Sequence, residues 1–120
     1  MVETIFGREV LSIIGATHQD EAEQPMRMFL KVQMEVEAAN RAIKDGSLPN
    51  LVQGFTAAAK PEGVWFTALD GKRTMVAVFD LTSPAQIPPL AEPFFNGLNA
   101  TFEISPAMDA ADLQAGLSNL

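Results

Sequence analysis

The segment that most constrains the fold is Gly63–Leu81, where two apolar runs flank the dipeptide Asp70-Gly71. The first run reads GVWFTAL and the second reads TMVAVFDL. Aromatic and β-branched residues favour strands, and Asp-Gly between two such runs is the strongest short signal for a β-hairpin. The sequence therefore predicts two antiparallel strands joined by a two-residue turn.

The remaining elements are predicted from apolar periodicity and from helix start and stop signals. In chain order they are a strand at Arg27–Met34, helices at Glu35–Lys44 and Pro49–Ala59, a helical piece from Ser83–Pro84 to about Asn96, a strand at Asn99–Ser105 and a short helix capped by Asp109 and Asp112. Gly97 is interpreted as the stop signal of the third helical piece. The order β-α-β-β-α-β predicts a ferredoxin-like α+β fold with a four-stranded antiparallel sheet.

Residues 1–25 differ from the rest of the chain and end in the polar run THQDEAEQP. We interpret 1–25 as an N-terminal extension or linker and 26–120 as the ferredoxin-like domain. The extension is either a helical arm or a stretch upstream of a natural start at Met26, and the sequence leaves both open. It contains the only histidine, His18, which is interpreted as a solvated side chain rather than a proton-transfer group.

The composition excludes several classes of function. There is no cysteine and one histidine, which rules out thiol catalysis, thiolate metal sites and sites built from two histidines of one chain. The net charge of −7 and the lack of a basic stripe argue against nucleic-acid binding. No apolar run approaches the roughly 18 residues of a membrane span. We therefore expect a cytoplasmic protein that binds no membrane, no metal and no cofactor.

Alternation along the predicted strands assigns each side chain to one of two sheet faces. The purely apolar sets are assigned to the face that the helices cover, and they are Met28, Leu30, Val32, Met34, Val64, Phe66, Ala68, Met75, Ala77, Phe79, Ala100, Phe102 and Ile104. The opposite face still carries Phe29, Trp65, Leu69, Val76 and Val78. Because monomers rarely expose so large an apolar patch, we predict a homodimer whose sheets pack face to face. Folding back of residues 1–25 is the alternative cover.

The candidate ligand-binding residues lie on that second face, and they are Phe29, Lys31, Gln33, Trp65, Thr67, Thr101 and Glu103. An aromatic-lined pocket with a few polar groups is typical of small-molecule sites. Lys31 and Glu103 lie on strands that neighbour each other in this topology, so they can pair. The pair is either a structural ion pair or an acid and base acting on an apolar, oxygenated ligand. Lys72 and Arg73 in the hairpin either bind an anion or keep the turn soluble.

The segment PPLAEPFFNG at residues 88–97 sets Glu92 between proline and aromatic residues. Pro93 is expected to kink or shorten this helix because it removes one backbone hydrogen bond. Leu90, Ala91 and Phe94 are expected to pack on the sheet, and Glu92 to face solvent. A catalytic role for Glu92 is therefore not favoured.

Two motifs, DGKRT at 70–74 and IPPLAEPFF at 87–95, make residues 26–117 resemble small bacterial proteins of the dimeric α+β barrel superfamily. Similar sequences are sometimes labelled pantothenate synthetase, but one histidine and no phosphate-binding glycine loop argue against that activity. The superfamily includes muconolactone isomerases and antibiotic-biosynthesis monooxygenases, which use the space inside the barrel. The resemblance implies a homodimer with a small ligand in the barrel. A cofactor-free monooxygenase or isomerase, and a protein-interaction module, are the alternatives.

Overall fold

The described part of the protein, residues 25–120 of a computed structural model, forms one antiparallel sheet with helices. The elements in chain order are β1 (Met26–Gln33), α1 (Val36–Asp45), α2 (Ser47–Ala59), β2 (Gly63–Leu69), β3 (Lys72–Leu81), α3 (Ile87–Leu98), β4 (Thr101–Pro106) and α4 (Ala110–Leu117). The strand order is β2-β3-β1-β4. The predicted four-stranded α+β fold is confirmed, and the order is consistent with a ferredoxin-like plan that carries two helices in its first crossover and one after β4.

The predictions for the N-terminal extension, including His18, lie outside the described residues. Among residues 25–120, no helix is long and apolar enough to cross a membrane.

The hairpin forms around Asp70-Gly71 as predicted. Both turn residues have positive φ angles, 55° for Asp70 and 72° for Gly71, which is the backbone conformation of a two-residue type I′ turn. Leu69 therefore pairs directly with Lys72, and the pairing continues to Gly63 opposite Val78. Strand β3 begins at Lys72, two residues before the predicted start at Thr74, because a two-residue turn lets pairing resume at once.

The hydrophobic core lies between the sheet and α1, α2 and α3. Strand β1 is central, and its Leu30 is paired with Ala77 of β3 on one side and Ile104 of β4 on the other. The core residues contributed by the strands include Met28, Leu30, Val32, Met75, Ala77 and Phe79, and those contributed by the helices include Ala39, Ala42, Phe55, Leu90, Phe94 and Leu98. The edges of three phenylalanine rings meet there, with ring centroids of Phe55 5.8 Å from Phe79 and 6.0 Å from Phe94.

Two residues assigned to the covered face are exposed instead, Phe66 and Ala68 of β2. Phe66 is paired with the fully buried Met75, so it does lie on the predicted face. Strand β2 is at the edge of the sheet, and the main strand contacts of the helices are with β3 and β4. Alternation therefore predicted the correct face for Phe66 and Ala68. Their predicted burial was wrong because the helices do not extend over the end of β2.

Local capping sets the helix boundaries in the first crossover. Glu35 caps α1, with its carboxylate accepting a hydrogen bond from the N–H of Ala38 at 2.8 Å. Gly46 ends α1 in the left-handed region, with a φ angle of 80°, where glycine has no steric penalty. Helix α2 starts at Ser47, earlier than the prediction at Pro49. Pro49 fits the third helical position because the first four N–H groups of a helix have no intrahelical partner.

Gly97 does not end α3, so that prediction was wrong. The helix continues to Leu98, and Asn99 ends it with a φ angle of 48°, a conformation that asparagine tolerates better than most residues. A Cβ atom at Gly97 would lie 2.9 Å from Cδ1 of Leu51. The glycine therefore serves the close approach of α3 to α2 rather than the end of the helix.

Helix α3 runs through Pro93 to Leu98, so the expected shortening of the helix is wrong, while the expected kink stays a prediction. Leu90, Ala91 and Phe94 are buried as expected. Glu92 is exposed, and its side-chain oxygen accepts a hydrogen bond from the Asn96 amide at 3.2 Å. The helical segment is thus a packing element, and Glu92 has a surface position.

Candidate functional site

The sheet face opposite the helices is called here the open face. It carries all seven candidate ligand-binding residues together with Leu69, Val76 and Val78. Phe29 and Trp65 remain 42% and 56% exposed, and Leu69 is 41% exposed. Among residues 25–120 no element packs over this face, so the apolar patch predicted from alternation is present.

A charged pair lies near the middle of the open face. Lys31 and Glu103 are directly opposite each other in the register of β1 and β4, and Nζ of Lys31 lies 3.7 Å from Oε1 of Glu103. The predicted pairing is confirmed. The lysine side chain is more buried than the carboxylate, with 28% against 68% exposed. An exposed pair of this kind contributes little to stability, so the fold alone does not require it.

Trp65 is placed by the glycine two residues before it. A Cβ atom at Gly63 would overlap the indole ring, so the ring lies back along β2 above Gly63. Residues two apart on a strand share a face, and a side chain at residue 63 would compete with the indole. Val76, which is paired with Trp65, is left only half-buried on the same face.

The side chain of Gln33 holds the hairpin turn through hydrogen bonds across the open face. Its Nε2 donates a hydrogen bond to the carbonyl of Leu69 at 3.0 Å and lies 3.5 Å from Oδ2 of Asp70. The side chain thus crosses β3 at the level of Thr74, which is paired with Gln33 and is only 1% exposed. The side-chain N–H groups of Gln33 are therefore committed to the hairpin.

Arg27 links three segments at the other end of the open face, and the sequence analysis did not single it out. Its Nε donates to Oε2 of Glu62 at 3.0 Å, and its Nη1 donates to Oδ2 of Asp109 at 3.4 Å. The hydrogen bond and the charge of Glu62 raise the pKa of Arg27 above its ordinary value. Alternation places Arg27 on the same face as Phe29, but the distant partners leave no local signal.

The cap of α4 depends on the same cluster. The carboxylate of Asp109 accepts a hydrogen bond from the N–H of Asp112 at 2.8 Å, and the carboxylate of Asp112 accepts one from the N–H of Asp109 at 3.1 Å. The predicted cap is confirmed. The Asp112 N–H, and then the Arg27 guanidinium, lower the pKa of Asp109 below its ordinary value. This cap holds the start of α4 beside β1, while no residue of α4 is buried.

A cleft on the helix side of the sheet was also missed. It has a volume of about 480 Å³ and lies between the first turns of α2 and the turn end of the β2–β3 hairpin. This helix–hairpin cleft is lined by residues that include Met34, Leu48, Val52, Phe66, Arg73 and Thr74. Its walls come from segments far apart in the sequence. In the sequence, only Arg73 pointed to a site in this region, as one half of the hairpin anion site considered with Lys72.

Lys72 and Arg73 are not brought together as one site. Neighbouring residues of a strand point to opposite faces, so Lys72 belongs to the open face and Arg73 to the helix side, where Arg73 lines the cleft. The predicted two-residue anion site is thus divided between the two sides of the sheet.

Within residues 25–120 there is no group of three histidine, aspartate or glutamate side chains that could hold a metal ion. No protein-family model, curated protein or solved structure matches the chain. The resemblance to the dimeric α+β barrel superfamily therefore stays a prediction from the sequence, and the function has to be argued from the geometry of the open face.

Proposed function

We propose that this protein is a homodimer in which the open faces of two copies pack together around a small apolar, oxygenated ligand. The observation that carries the proposal is the exposed apolar surface of Phe29, Trp65 and Leu69, which shares the open face with the Lys31–Glu103 pair. An uncovered sheet face with aromatic side chains and a few polar groups combines the properties of an interface and of a ligand site.

The choice of a second copy as the cover follows from charge and symmetry. In a two-fold dimer the same surface meets itself, so a face that carries charges of both signs, among them Lys31 and Glu103, can be complementary in charge to its own copy. Lys31 of one protomer can then lie near Glu103 of the other. The Glu103 carboxylates of the two protomers can likewise lie apart from each other. Two faces that carried charges of only one sign would instead bring like charges together.

The size of the open face indicates that α4 extends the interface. Four strands about 4.8 Å apart, as long as the eight residues of β1 at about 3.3 Å each, give a footprint of roughly 19 by 26 Å. Stable interfaces typically bury about 800 Å² on each partner. Helix α4 exposes Leu113 and Leu117, and its cap is tied to Arg27 on the open face. These leucines are therefore assigned to the same interface.

The ligand chemistry follows from the polar groups on the open face. The Lys31 ammonium group and the hydroxyl groups of Thr67 and Thr101 can donate to oxygen atoms of a ligand. Phe29 and Trp65 supply apolar contact area. A small molecule with an apolar body and one or two carbonyl or hydroxyl oxygens fits this combination.

The dimer is tested by sedimentation equilibrium of Phe29→Asp. A carboxylate buried without a partner in the interface should weaken self-association at least about tenfold. Ile43→Asp is the matched control, because Ile43 is exposed to a similar extent, 48%, on the outer surface of α1. The proposal fails if the unaltered protein is monomeric at micromolar concentration, or if both variants weaken association equally.

The ligand is tested by native mass spectrometry of protein purified from its own source, in search of a bound small molecule. Trp65 is the only tryptophan, so its fluorescence reports directly on the open face. Adding the identified molecule should change this fluorescence, and Lys31→Met should weaken its binding. A dimer that carries no ligand, and in which the Trp65 ring is inaccessible to water, would instead favour a protein-interaction module.

The Lys31–Glu103 pair favours a second candidate, a cofactor-free monooxygenase or an isomerase that acts between the sheets. An acid and a base side by side on an otherwise apolar face can transfer protons to and from a substrate. Lys31→Ala and Glu103→Gln should then abolish turnover without dissociating the dimer. Full activity of both variants on a substrate of the protein would exclude this mechanism.

A further inference from the structure

The helix–hairpin cleft opens on the helix side of the sheet, opposite the open face. Its volume of about 480 Å³ is within the range of about 300–1,000 Å³ that small-molecule sites occupy. The cleft is continuous with the core, because Met34 in its wall is buried and also belongs to the core cluster.

Phe66 is the exposed apolar wall of the cleft. It is 58% exposed, although Met75, with which it is paired on the same face, is fully buried. Val52 and Leu48 on α2 face it across the cleft. An aromatic ring and aliphatic side chains on opposite walls can hold a flat or extended apolar body between them.

Arg73 gives the cleft its charge. It is the only charged residue of the lining, and among residues 25–120 it forms no ion pair. The acidic residue nearest to Arg73 in the sequence is Asp70. Its Oδ2 atom lies 3.5 Å from Nε2 of Gln33, which belongs to the open face. A guanidinium group at the edge of an apolar cleft is suited to a carboxylate, which it can bind through two parallel hydrogen bonds.

We propose that the helix–hairpin cleft is a second ligand-binding site, and that it takes a small amphipathic monocarboxylate. The apolar part of the ligand lies between Phe66 and Val52, and its carboxylate is bound by Arg73. Two threonines that alternation places on the open face, Thr67 and Thr74, also line the cleft, but Phe66, Val52 and Arg73, which hold the ligand, all lie on the helix side.

The proposal is tested on the full-length protein with decanoate, used below its micellar concentration, and with decanol as the uncharged analogue. Calorimetry should show saturable binding of decanoate and weaker binding of decanol. Arg73→Gln should weaken decanoate binding about tenfold, to the level of decanol, because a charge-assisted hydrogen bond is lost. Lys72→Gln is the matched control. It removes the same charge from the neighbouring residue on the opposite face, and should change the affinity by less than about twofold.

Phe66→Ala separates the apolar contribution from the charge, and it should weaken decanoate and decanol alike. Because Phe66 is already exposed, this variant is expected to fold. In NMR spectra decanoate should shift the signals of Phe66 and Val52 and leave the indole of Trp65 unchanged.

Four outcomes would overturn the proposal. They are no saturable binding of decanoate, an equal loss of affinity in Arg73→Gln and Lys72→Gln, decanoate-induced shifts at Trp65 instead of Phe66, and signals of Phe66 that shift on dilution without any decanoate. The last outcome would mean that another copy of the chain occupies the cleft.

Discussion

The two faces of the sheet are made by the same four strands, and they differ in what covers them. On the helix side, Leu30, Val32 and Phe79 are essentially inaccessible. On the open face, Phe29 and Trp65 are about half exposed. The comparison teaches that helices of the same chain cover one face, whereas the other stays open among residues 25–120 and is the surface on which the proposed dimer depends. Stability should therefore depend mainly on the first face and association on the second.

The largest effect is expected for Phe79→Ala on the helix side. Loss of this ring, which packs against Phe55, should lower the free energy of unfolding by about 3–5 kcal/mol, through lost burial and the cavity left behind. Urea denaturation measures the change. Trp65→Ala, on the open face, should cost far less at protein concentrations where the chain is monomeric. Similar losses for the two variants would remove the distinction between the faces.

A change on the exposed side of α4 should affect association rather than folding. The double variant Leu113→Ser/Leu117→Ser removes two leucines that remain 49% and 53% exposed in the protomer. It should weaken the dimer about tenfold, since each buried leucine contributes roughly 1.5–3 kcal/mol and these leucines are at the margin of the interface. Sedimentation measures association, and denaturation of dilute protein should be unchanged. An unchanged dimer would exclude α4 from the interface.

Gln33→Leu tests a side chain of the open face that is committed to the fold. It removes the hydrogen bond to the carbonyl of Leu69, which should cost about 1 kcal/mol of stability. Amide hydrogen exchange in the hairpin should accelerate accordingly. Gln53→Leu is the control, because Gln53 is an exposed glutamine on α2. An equal effect of both changes would contradict the structural role of Gln33.

The smallest effect concerns pH and the cap of α4. The pKa of Asp109 is lowered in the folded protein, first by the N–H of Asp112 and then by Arg27. The unfolded chain therefore takes up the proton more readily. The stability that the carboxylate contributes is present above its ordinary pKa of about 3.9, and it is lost as the pH falls through the lower folded value. NMR titration of the Asp109 carboxyl group measures this, and Asp109→Asn should abolish the dependence while keeping a cap.

The local parts of the fold were predictable because their signals lie within a few residues. Asp70-Gly71 specifies a turn by its own backbone preference, and Asp109 with Asp112 forms a cap from neighbouring groups. Lys31 and Glu103 were also found from the sequence, because topology and alternation together place them opposite each other. For these features the tertiary structure agrees with the local preference.

The missed features depend on contacts between distant segments. Gly97 resembles a helix stop signal in the sequence. In the structure this position requires glycine because the side chain of Leu51 on another helix lies against it. Phe66 lies on the predicted face, yet its exposure depends on how far α2 extends over the sheet. Arg27 has partners in two separate segments. None of these contacts is encoded within a short window, so periodicity and propensity could not find them.

The central position of β1 has a consequence for how the chain folds during synthesis. This strand emerges from the ribosome before β2, β3 and β4, yet its partners are β3 and β4, which are made much later. Only the β2–β3 hairpin can form from adjacent segments. The alternating apolar residues of β1 must therefore remain unpaired until β3 and β4 have been made, and such non-local pairing is slow and exposes the chain to aggregation. Expression of this protein should accordingly benefit from a chaperone that holds unpaired strands.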